Sequence, residues 1–269
     1  MLFAITSAVI DQLGRAVLRS LVSVGELSAF TGRAIRDAAW PPFEFGEFLR
    51  QLYELGWRSV PLIAASGAAI GVVMSLHTRT TLERFGAESL IPAGLGMSVV
   101  FEIGPLVTAL LMAGRAGAGI GAELGAMKVT EQIDALEAVA VDSFRFLSVT
   151  RVLACTVALP LLTVIADFAA LLGGYAAERV ATGMPLGLFL SRAFFYIGYD
   201  DFLPATLKTA VFGFIIGVVG SYLGFTATRG TEGVGRASTR AVVVSSILII
   251  LADVALVRII LFFFPRGMP

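Results

Sequence analysis

The densest group of chemically active side chains lies in one polar stretch, residues 114–151, between two long apolar runs. Neither the His-Glu-x-x-His pattern of zinc hydrolases nor the Gly-x-Ser-x-Gly pattern of serine hydrolases occurs in the chain. The chemistry that this stretch offers is therefore ion pairing, either in a solvated connecting loop or on a docking surface for a partner in the same aqueous compartment. Its charged residues are Arg115, Glu123, Lys128, Glu131, Asp134, Glu137, Asp142, Arg145 and Arg151.

A short amphipathic helix is predicted at the centre of this stretch, near residues 129–137. Val129, Ile133 and Leu136 recur at steps of four and three residues, which places them on one helical face. Glu131 and Asp134 lie off that face, where they suit the positive end of the helix dipole. Thr130 is expected to cap the N-terminus. The residues of this predicted docking element are Val129, Thr130, Glu131, Gln132, Ile133, Asp134, Ala135 and Leu136.

Isolated charges within apolar runs form a second group of candidates, because such charges are costly and usually face protein or water. Glu102, just before Gly104-Pro105, is a candidate for the polar wall of a substrate cavity or for a hinge contact. A buried hydrogen bond to another helix is the alternative. We expect Arg258 and Lys208 to snorkel towards the interface or to contact another helix. The isolated charges are Glu102, Asp167, Asp253 and Arg258.

The sequence predicts no cofactor, metal or nucleic-acid site. Both lysines, Lys128 and Lys208, lack the preceding glycine of a phosphate-binding loop. The single histidine, His77, and the single cysteine, Cys155, have no companions for a metal site or an internal disulfide. A formal net charge of zero gives no bulk field that would attract nucleic acid.

Long apolar helices must position these residues. Hydrophobic residues make up 57% of the chain and the mean hydropathy is +0.87, far above a soluble domain. Runs of about twenty apolar residues, the length that crosses a bilayer as a helix, occur near 59–78, 90–113, 152–177, 203–227 and 242–264. The predicted fold class is all-α, a polytopic membrane protein with about five transmembrane helices. The connection 179–202 is expected to contain a short re-entrant or interfacial helix.

The first 58 residues are predicted to form two amphipathic connecting helices, over residues 2–36 and 44–58. In the first, Asp11, Arg15 and Arg19 place a charge at every turn, which favours a position in the membrane interface. Trp40-Pro41-Pro42 is expected to end it, because proline removes a backbone donor and restricts the preceding residue. The chain is therefore divided into a connecting region, 1–58, and a five-span domain, 59–269.

Basic residues and glycines bear on orientation and assembly. With a cytoplasmic N-terminus, segments 1–58, 114–151 and 228–241 hold thirteen lysines and arginines, against five on the opposite side. This asymmetry favours that orientation and places the C-terminus outside. Glycines spaced four apart allow close helix approach, which fits both packing within one subunit and a subunit interface. They are Gly67 and Gly71; Gly117, Gly121 and Gly125; Gly213 and Gly217; and Gly220 and Gly224.

The stretch Glu123–Leu136 resembles the signature of the MlaE (YrbE-type) permease family, the membrane subunits of MCE-associated ABC transporters. It reads Glu-Leu-Gly-Ala-Met-Lys-Val-Thr-Glu-Gln-Ile-Asp-Ala-Leu, and the resemblance extends over most of the chain. The family often has Met-Gly where this chain has Val139-Ala140, and proline where it has Ser143 and Thr150. The Glu-Gln-Ile-Asp-Ala-Leu core is intact.

The resemblance implies a permease dimer, expected here as a homodimer, on two cytoplasmic ABC ATPases and below a ring of MCE-domain proteins in the periplasm. The helix within Val129–Leu136 would be the coupling helix in an ATPase groove. ATP and Mg would bind to the ATPase. This chain would bind no cofactor and would not itself be an enzyme. Lipid, expected to be phospholipid moved between inner and outer membranes, would occupy a cavity between the subunits, with Glu102 as the polar candidate. The chain would reside in the bacterial inner membrane.

Two other functions remain as alternatives. A self-contained secondary transporter, driven by protons through Glu102, Asp167 and Asp253, would be expected to show internal repeats and broken helices in matching halves. The odd set of five predicted spans does not show them. A membrane enzyme acting on lipids would need a catalytic constellation, and the sequence shows none.

Overall fold

The computed structural model of the chain describes residues 2–41, 43–228 and 230–263, with side chains at residue 18 and from residue 21 onward. Asp11, Arg15 and Arg19 of the predicted charged face lie outside the described side chains. Arg229 and Arg266, which enter the charge count, lie outside the described residues. The chain divides into two units, Met1–Phe43 and Glu44–Pro269.

The first unit is one helix, Leu2–Ala39. It ends directly before Trp40-Pro41, as the loss of a backbone donor at proline predicts. Arg33 and Arg36 both contact the Asp37 carboxylate, at 3.4 and 3.0 Å. The helix is confirmed, and its position in a membrane interface stays a prediction.

The second unit contains five helices that are long and apolar enough to cross a membrane. We call them spans 1 to 5. They are Phe45–Phe85, Glu88–Val129, Phe144–Thr182, Tyr199–Phe225 and Gly230–Phe263. Two shorter helices join them: the hairpin helix, Gln132–Ala138, and the short helix, Leu186–Ala193. All regular elements of the described ranges are helical, which confirms the all-α polytopic fold class.

Residues 45–58 are helical, as predicted, but they run on into span 1 and do not form a separate helix. Helix Phe45–Gln51 continues through a π turn, Leu52–Gly56, and a 3-10 turn, Trp57–Ser59, into helix Val60–Leu82. Pro61 cannot donate to the carbonyl four residues earlier, which would end many helices. Here the altered turns accommodate the lost bond, because both flanking segments are held by packing against the other spans.

Glycines let the spans approach one another closely within the chain. A Cβ atom on Gly71 would lie 1.8 Å from the Ala170 carbonyl oxygen, and one on Gly213 would lie 2.2 Å from that of Cys155. These positions join span 1 to span 3 and span 3 to span 4. A Cβ atom on Gly224 would lie 2.6 Å from the Cβ atom of Leu124, so Gly224 joins span 4 to span 2. For these glycines the structure selects packing within one subunit.

The short helix in the connection 179–202 is confirmed. Its Phe189 and Ala193 are fully buried, in a cluster with Leu95 and Val99 of span 2. The Phe189 ring meets Tyr175 of span 3 edge-on, with centroids 5.6 Å apart. This cluster closes one end of the bundle, opposite the hairpin helix.

Candidate functional site

The hairpin helix follows span 2 after a tight reversal of the chain. Span 2 ends at Val129, and Thr130 donates its side-chain hydroxyl to the Ala126 carbonyl at 2.8 Å. Thr130 therefore ends span 2 and does not cap the following helix, so the predicted N-cap was wrong. Glu131 takes the left-handed conformation, φ +59°, that turns the chain. The predicted element is thus two pieces: Val129 and Thr130 close one helix, and Gln132 begins the next.

Two faces of the hairpin helix have opposite character. Ile133 belongs to the buried main core, which also contains Leu124 and Leu147, and Leu136 packs against this core. Glu131, Gln132, Asp134 and Ala135 are exposed on the other side. Helical periodicity produces this division, because residues three and four apart share a face. The helix is therefore anchored to the bundle by its apolar side and presents a polar, largely acidic side.

Ion pairs and hydrogen bonds brace the hairpin helix against the spans. Lys128 at the end of span 2 pairs with Asp134 at 2.9 Å, and Ser143 donates to the Glu137 carboxylate at 2.6 Å.

Deeper in the bundle, the fully buried Arg151 donates to Glu123 of span 2 at 2.7 Å and to the Leu147 carbonyl at 2.8 Å. A displacement of the hairpin helix would therefore be transmitted to both span 2 and span 3.

A second polar group lies between three spans, and we call it the acid–lysine cluster: Glu102, Lys208 and Asp253. The Lys208 ammonium donates to Glu102 at 2.8 Å and to Asp253 at 2.9 Å. The Lys208 side chain is 1% exposed, so the prediction that it snorkels was wrong and its alternative, contact with another helix, is confirmed. Asp253 does not pair with Arg258, because a separation of five residues does not place two side chains on one helical face.

The backbone of span 2 helps to position Glu102. Residues Val99–Ile103 form a π turn just before Pro105, whose ring clashes with a regular i−4 carbonyl and whose nitrogen lacks a donor. The extra residue of that turn rotates Glu102 towards span 4. Its side chain remains 46% exposed and lines an open cleft with Phe101, Asp201 and Val257.

Asp167 stands apart from this cluster. It is buried in span 3 against Gly104, and neither carboxylate oxygen has a hydrogen-bond partner among the described residues. Cys155 is fully buried as a free thiol, as expected for a small core residue. Within the described ranges, no group of three or more His, Cys, Asp or Glu side chains could hold a metal ion.

Sequence reasoning missed Lys208 and Asp253 as partners of Glu102, and Arg151 as a buried side chain. The charges within the apolar runs did indicate that such pairs exist, since a charge inside a span needs an opposite charge nearby. The sequence does not show which helices are neighbours, so it could not select the pairs.

Comparison with known proteins adds to this geometry. Residues 48–259 match the family model described as Permease MlaE. A protein of Rickettsia bellii named probable ABC transporter permease protein is 37% identical over 90% of this chain and 94% of its own length. A Haemophilus influenzae protein named intermembrane phospholipid transport system permease protein MlaE is 30% identical over 93% of this chain and 96% of its own.

A plant protein is also similar. Protein TRIGALACTOSYLDIACYLGLYCEROL 1, chloroplastic, from Arabidopsis thaliana is 31% identical over 77% of this chain and 59% of its own length. The similarity therefore extends across bacterial and chloroplast proteins, and the family match over residues 48–259 includes both the hairpin helix and the acid–lysine cluster.

Proposed function

This chain belongs to the MlaE permease family, and from that membership we propose that it is the membrane subunit of an ABC transporter that moves lipid, specifically phospholipid, between membranes. The hairpin helix carries the proposal. It is an element with a buried apolar side and an exposed acidic side at one end of a five-helix membrane bundle. Such an element suits a groove on a separate protein.

The occupant of that surface is proposed to be a cytoplasmic ABC ATPase, which binds ATP and Mg and hydrolyses the nucleotide. Its closure would move the hairpin helix, and the Lys128–Asp134 and Glu123–Arg151 pairs would carry the movement into spans 2 and 3. The chain would reside in a bacterial inner membrane with its N-terminus in the cytoplasm and its C-terminus in the periplasm.

Lipid is proposed to bind between two permease subunits of a homodimer, below a periplasmic ring of MCE-domain proteins. Span 5 supports this arrangement, because only 11% of its most apolar window is buried within the chain, against 28–56% for the other four spans. Glu102 reaches the cleft beside the acid–lysine cluster and would meet the polar part of the lipid, while the apolar walls accommodate the tails.

The test is a charge reversal on the hairpin helix, Glu131→Lys with Asp134→Lys, in transporter reconstituted in proteoliposomes. We expect lipid-stimulated ATP turnover to fall about tenfold or more, since reversing charges in an interface hot spot costs about 2 kcal/mol or more. The permease should stay folded, because both side chains are exposed and the lost Lys128–Asp134 pair contributes about 1 kcal/mol or less.

The matched control is Glu88→Lys with Asp200→Lys, the same charge change on exposed residues at the opposite end of the bundle. It should leave coupling intact. Equal turnover in the two double variants would contradict the coupling assignment. Lipid transport by the permease without any ATPase, driven by a proton gradient, would favour the secondary transporter instead.

A further inference from the structure

A polar cleft near the hairpin end of the bundle provides a binding site that the proposed transport path does not use. It lies between spans 1 and 2 and is lined by Arg50, Glu54, Ser59, Arg115, Gly119 and Glu123, among others. We call it the arginine cleft. We propose that it binds the phosphate group of a membrane phospholipid, with Arg115 as the main contact.

The carboxylates around the cleft are all paired with other arginines, so Arg115 has no carboxylate partner within the described ranges. Glu47 receives two hydrogen bonds from Arg50, both at 2.8 Å. Glu54 pairs with Arg58, and Glu123 with the buried Arg151. Among the described residues, no carboxylate contacts Arg115. Its charge is therefore the one that an incoming anion would neutralise.

The Arg115 side chain is held in place with most of its donors unused. One guanidinium nitrogen donates to the hydroxyl of Ser59, a fully buried residue that also bonds the Leu55 carbonyl. A guanidinium has five N–H groups in a fixed fork that matches the oxygens of a phosphate. The π turn Ala113–Gly117 in span 2 turns this half-buried side chain towards span 1. The contact is thus arranged before any ligand arrives.

The cleft has room for a headgroup. Its volume is about 350 Å³. Gly119 forms part of its wall and is exposed, and a Cβ atom there would meet no other atom within 4 Å. A larger residue at this position would fill the cleft without disturbing the helices around it.

Exposed aromatic residues place the cleft at the level of lipid headgroups. Three aromatic residues, Phe45, Tyr53 and Trp57, and the aliphatic Leu49 recur every four residues along span 1, and each is more than half exposed. Tyrosine and tryptophan prefer the boundary between headgroups and acyl chains. Arg50, Glu54 and Ser59 lie on the same part of span 1. A phospholipid whose tails lie along these aromatic residues could place its phosphate at Arg115, which favours a lipid over free phosphate as the ligand.

This site is distinct from the cleft at Glu102. The two residues are thirteen positions apart on span 2, which corresponds to about 20 Å along a helix. The inference rests on the proposed function in one respect: that function places the chain in a membrane, which supplies the phospholipid. It assigns the bundle a second headgroup contact, on the leaflet that faces the hairpin helix.

The test is native mass spectrometry of the purified permease with the subunits that accompany it, in detergent containing phosphatidylglycerol. Diacylglycerol with the same acyl chains is the probe that lacks the phosphate. We expect Arg115→Gln to weaken phosphatidylglycerol binding about tenfold, as for the loss of one charge-assisted contact. Arg115→Lys should restore part of the phosphatidylglycerol binding, because lysine supplies the positive charge but not the planar guanidinium that binds two oxygens at once. Arg240→Gln, an exposed arginine outside the cleft, is the matched control.

A second pair of variants decides the matter if Arg115→Gln does not fold. Gly119→Leu should block phosphatidylglycerol binding, whereas Gly235→Leu on span 5, also exposed and without neighbours within 4 Å, should not. Equal binding by both variants, or equal binding of diacylglycerol and phosphatidylglycerol to the unmodified protein, would overturn the proposal.

Two further outcomes also count against it. Displacement of phosphatidylglycerol by inorganic phosphate would make free phosphate the ligand. Loss of the ATPase from Arg115→Gln with lipid binding unchanged would make Arg115 a contact for the partner protein. The ATPase in the same purified sample reports separately on the proposed function, so failure of one does not imply failure of the other.

Discussion

At the scale of single residues, the acid–lysine cluster shows how a membrane protein holds charge away from water. Lys208 and Asp253 are nearly inaccessible, at 1% and 7% exposure, whereas Glu102 is 46% exposed. The ammonium donates a hydrogen bond to each carboxylate, so each charge has an opposite charge in contact. Removing the central cation would leave two carboxylates facing each other within the bundle.

We therefore predict that Lys208→Met destabilises the fold by about 3–5 kcal/mol, the usual cost of breaking a buried ion pair. Lys128→Met is the control, because its pair with Asp134 is exposed and such pairs contribute about 1 kcal/mol or less. Thermal unfolding in detergent measures both. Adding Glu102→Gln and Asp253→Asn to Lys208→Met should recover much of the loss. A Lys208→Met protein as stable as Lys128→Met would show that the cluster contributes little.

At the scale of elements, the spans are joined by backbone contacts at glycine and are adjusted by π turns. The contact between Gly71 and Ala170 leaves no space for a side chain. Three π turns, Leu52–Gly56, Val99–Ile103 and Ala113–Gly117, lie next to or contain the residues of the two clefts. Three of the four π turns in the described ranges thus lie near polar side chains that need a particular direction, whereas the fourth, Phe144–Val149, packs into the core.

The packing makes Gly71→Ala a severe change. Its methyl group would lie 1.8 Å from the Ala170 carbonyl oxygen, so spans 1 and 3 would have to separate, at a cost of about 1–3 kcal/mol or more. Gly94→Ala is the matched control in span 2, where the nearest atom is a Thr78 methyl at 3.8 Å. We expect a clear fall in unfolding temperature for Gly71→Ala alone. Similar values for both variants would mean that the close approach is not needed for stability.

At the scale of the whole molecule, five spans place the hairpin helix and the short helix at opposite ends of the bundle. The coupling proposal requires the hairpin end to face the cytoplasm. The single cysteine, Cys155, is fully buried, which makes the chain suitable for labelling at introduced cysteines.

We predict that Val139→Cys, next to the hairpin helix, reacts with a membrane-impermeant maleimide only after the inner membrane is opened. Val180→Cys, at the other end, should react in intact spheroplasts. Both valines are well exposed, at 69% and 90%, so a difference in labelling reports the side of the membrane. The unmodified protein should not react. The opposite pattern would invert the orientation and separate the hairpin helix from any cytoplasmic ATPase.

Sequence by itself determined the class of this protein, the five spans, the short helix after span 3 and the family. These properties depend on apolar length, periodicity and a contiguous motif, all of which are local in the chain. The apolar anchoring of the hairpin helix through Ile133 and Leu136 followed from the same local pattern.

Only the tertiary structure decided which helices are neighbours, and with them the residues that meet. Lys208 joins Glu102 and Asp253 across three spans, and Glu123 meets Arg151 across two. These partners are far apart in the sequence, so neither residue spacing nor composition indicates that they are paired. Thr130 was assigned to the wrong helix for a related reason: a threonine can bond forward as a cap or back to a carbonyl four residues earlier. The left-handed turn at Glu131, which the tertiary packing of Ile133 and Leu136 against the spans stabilises, selects the second.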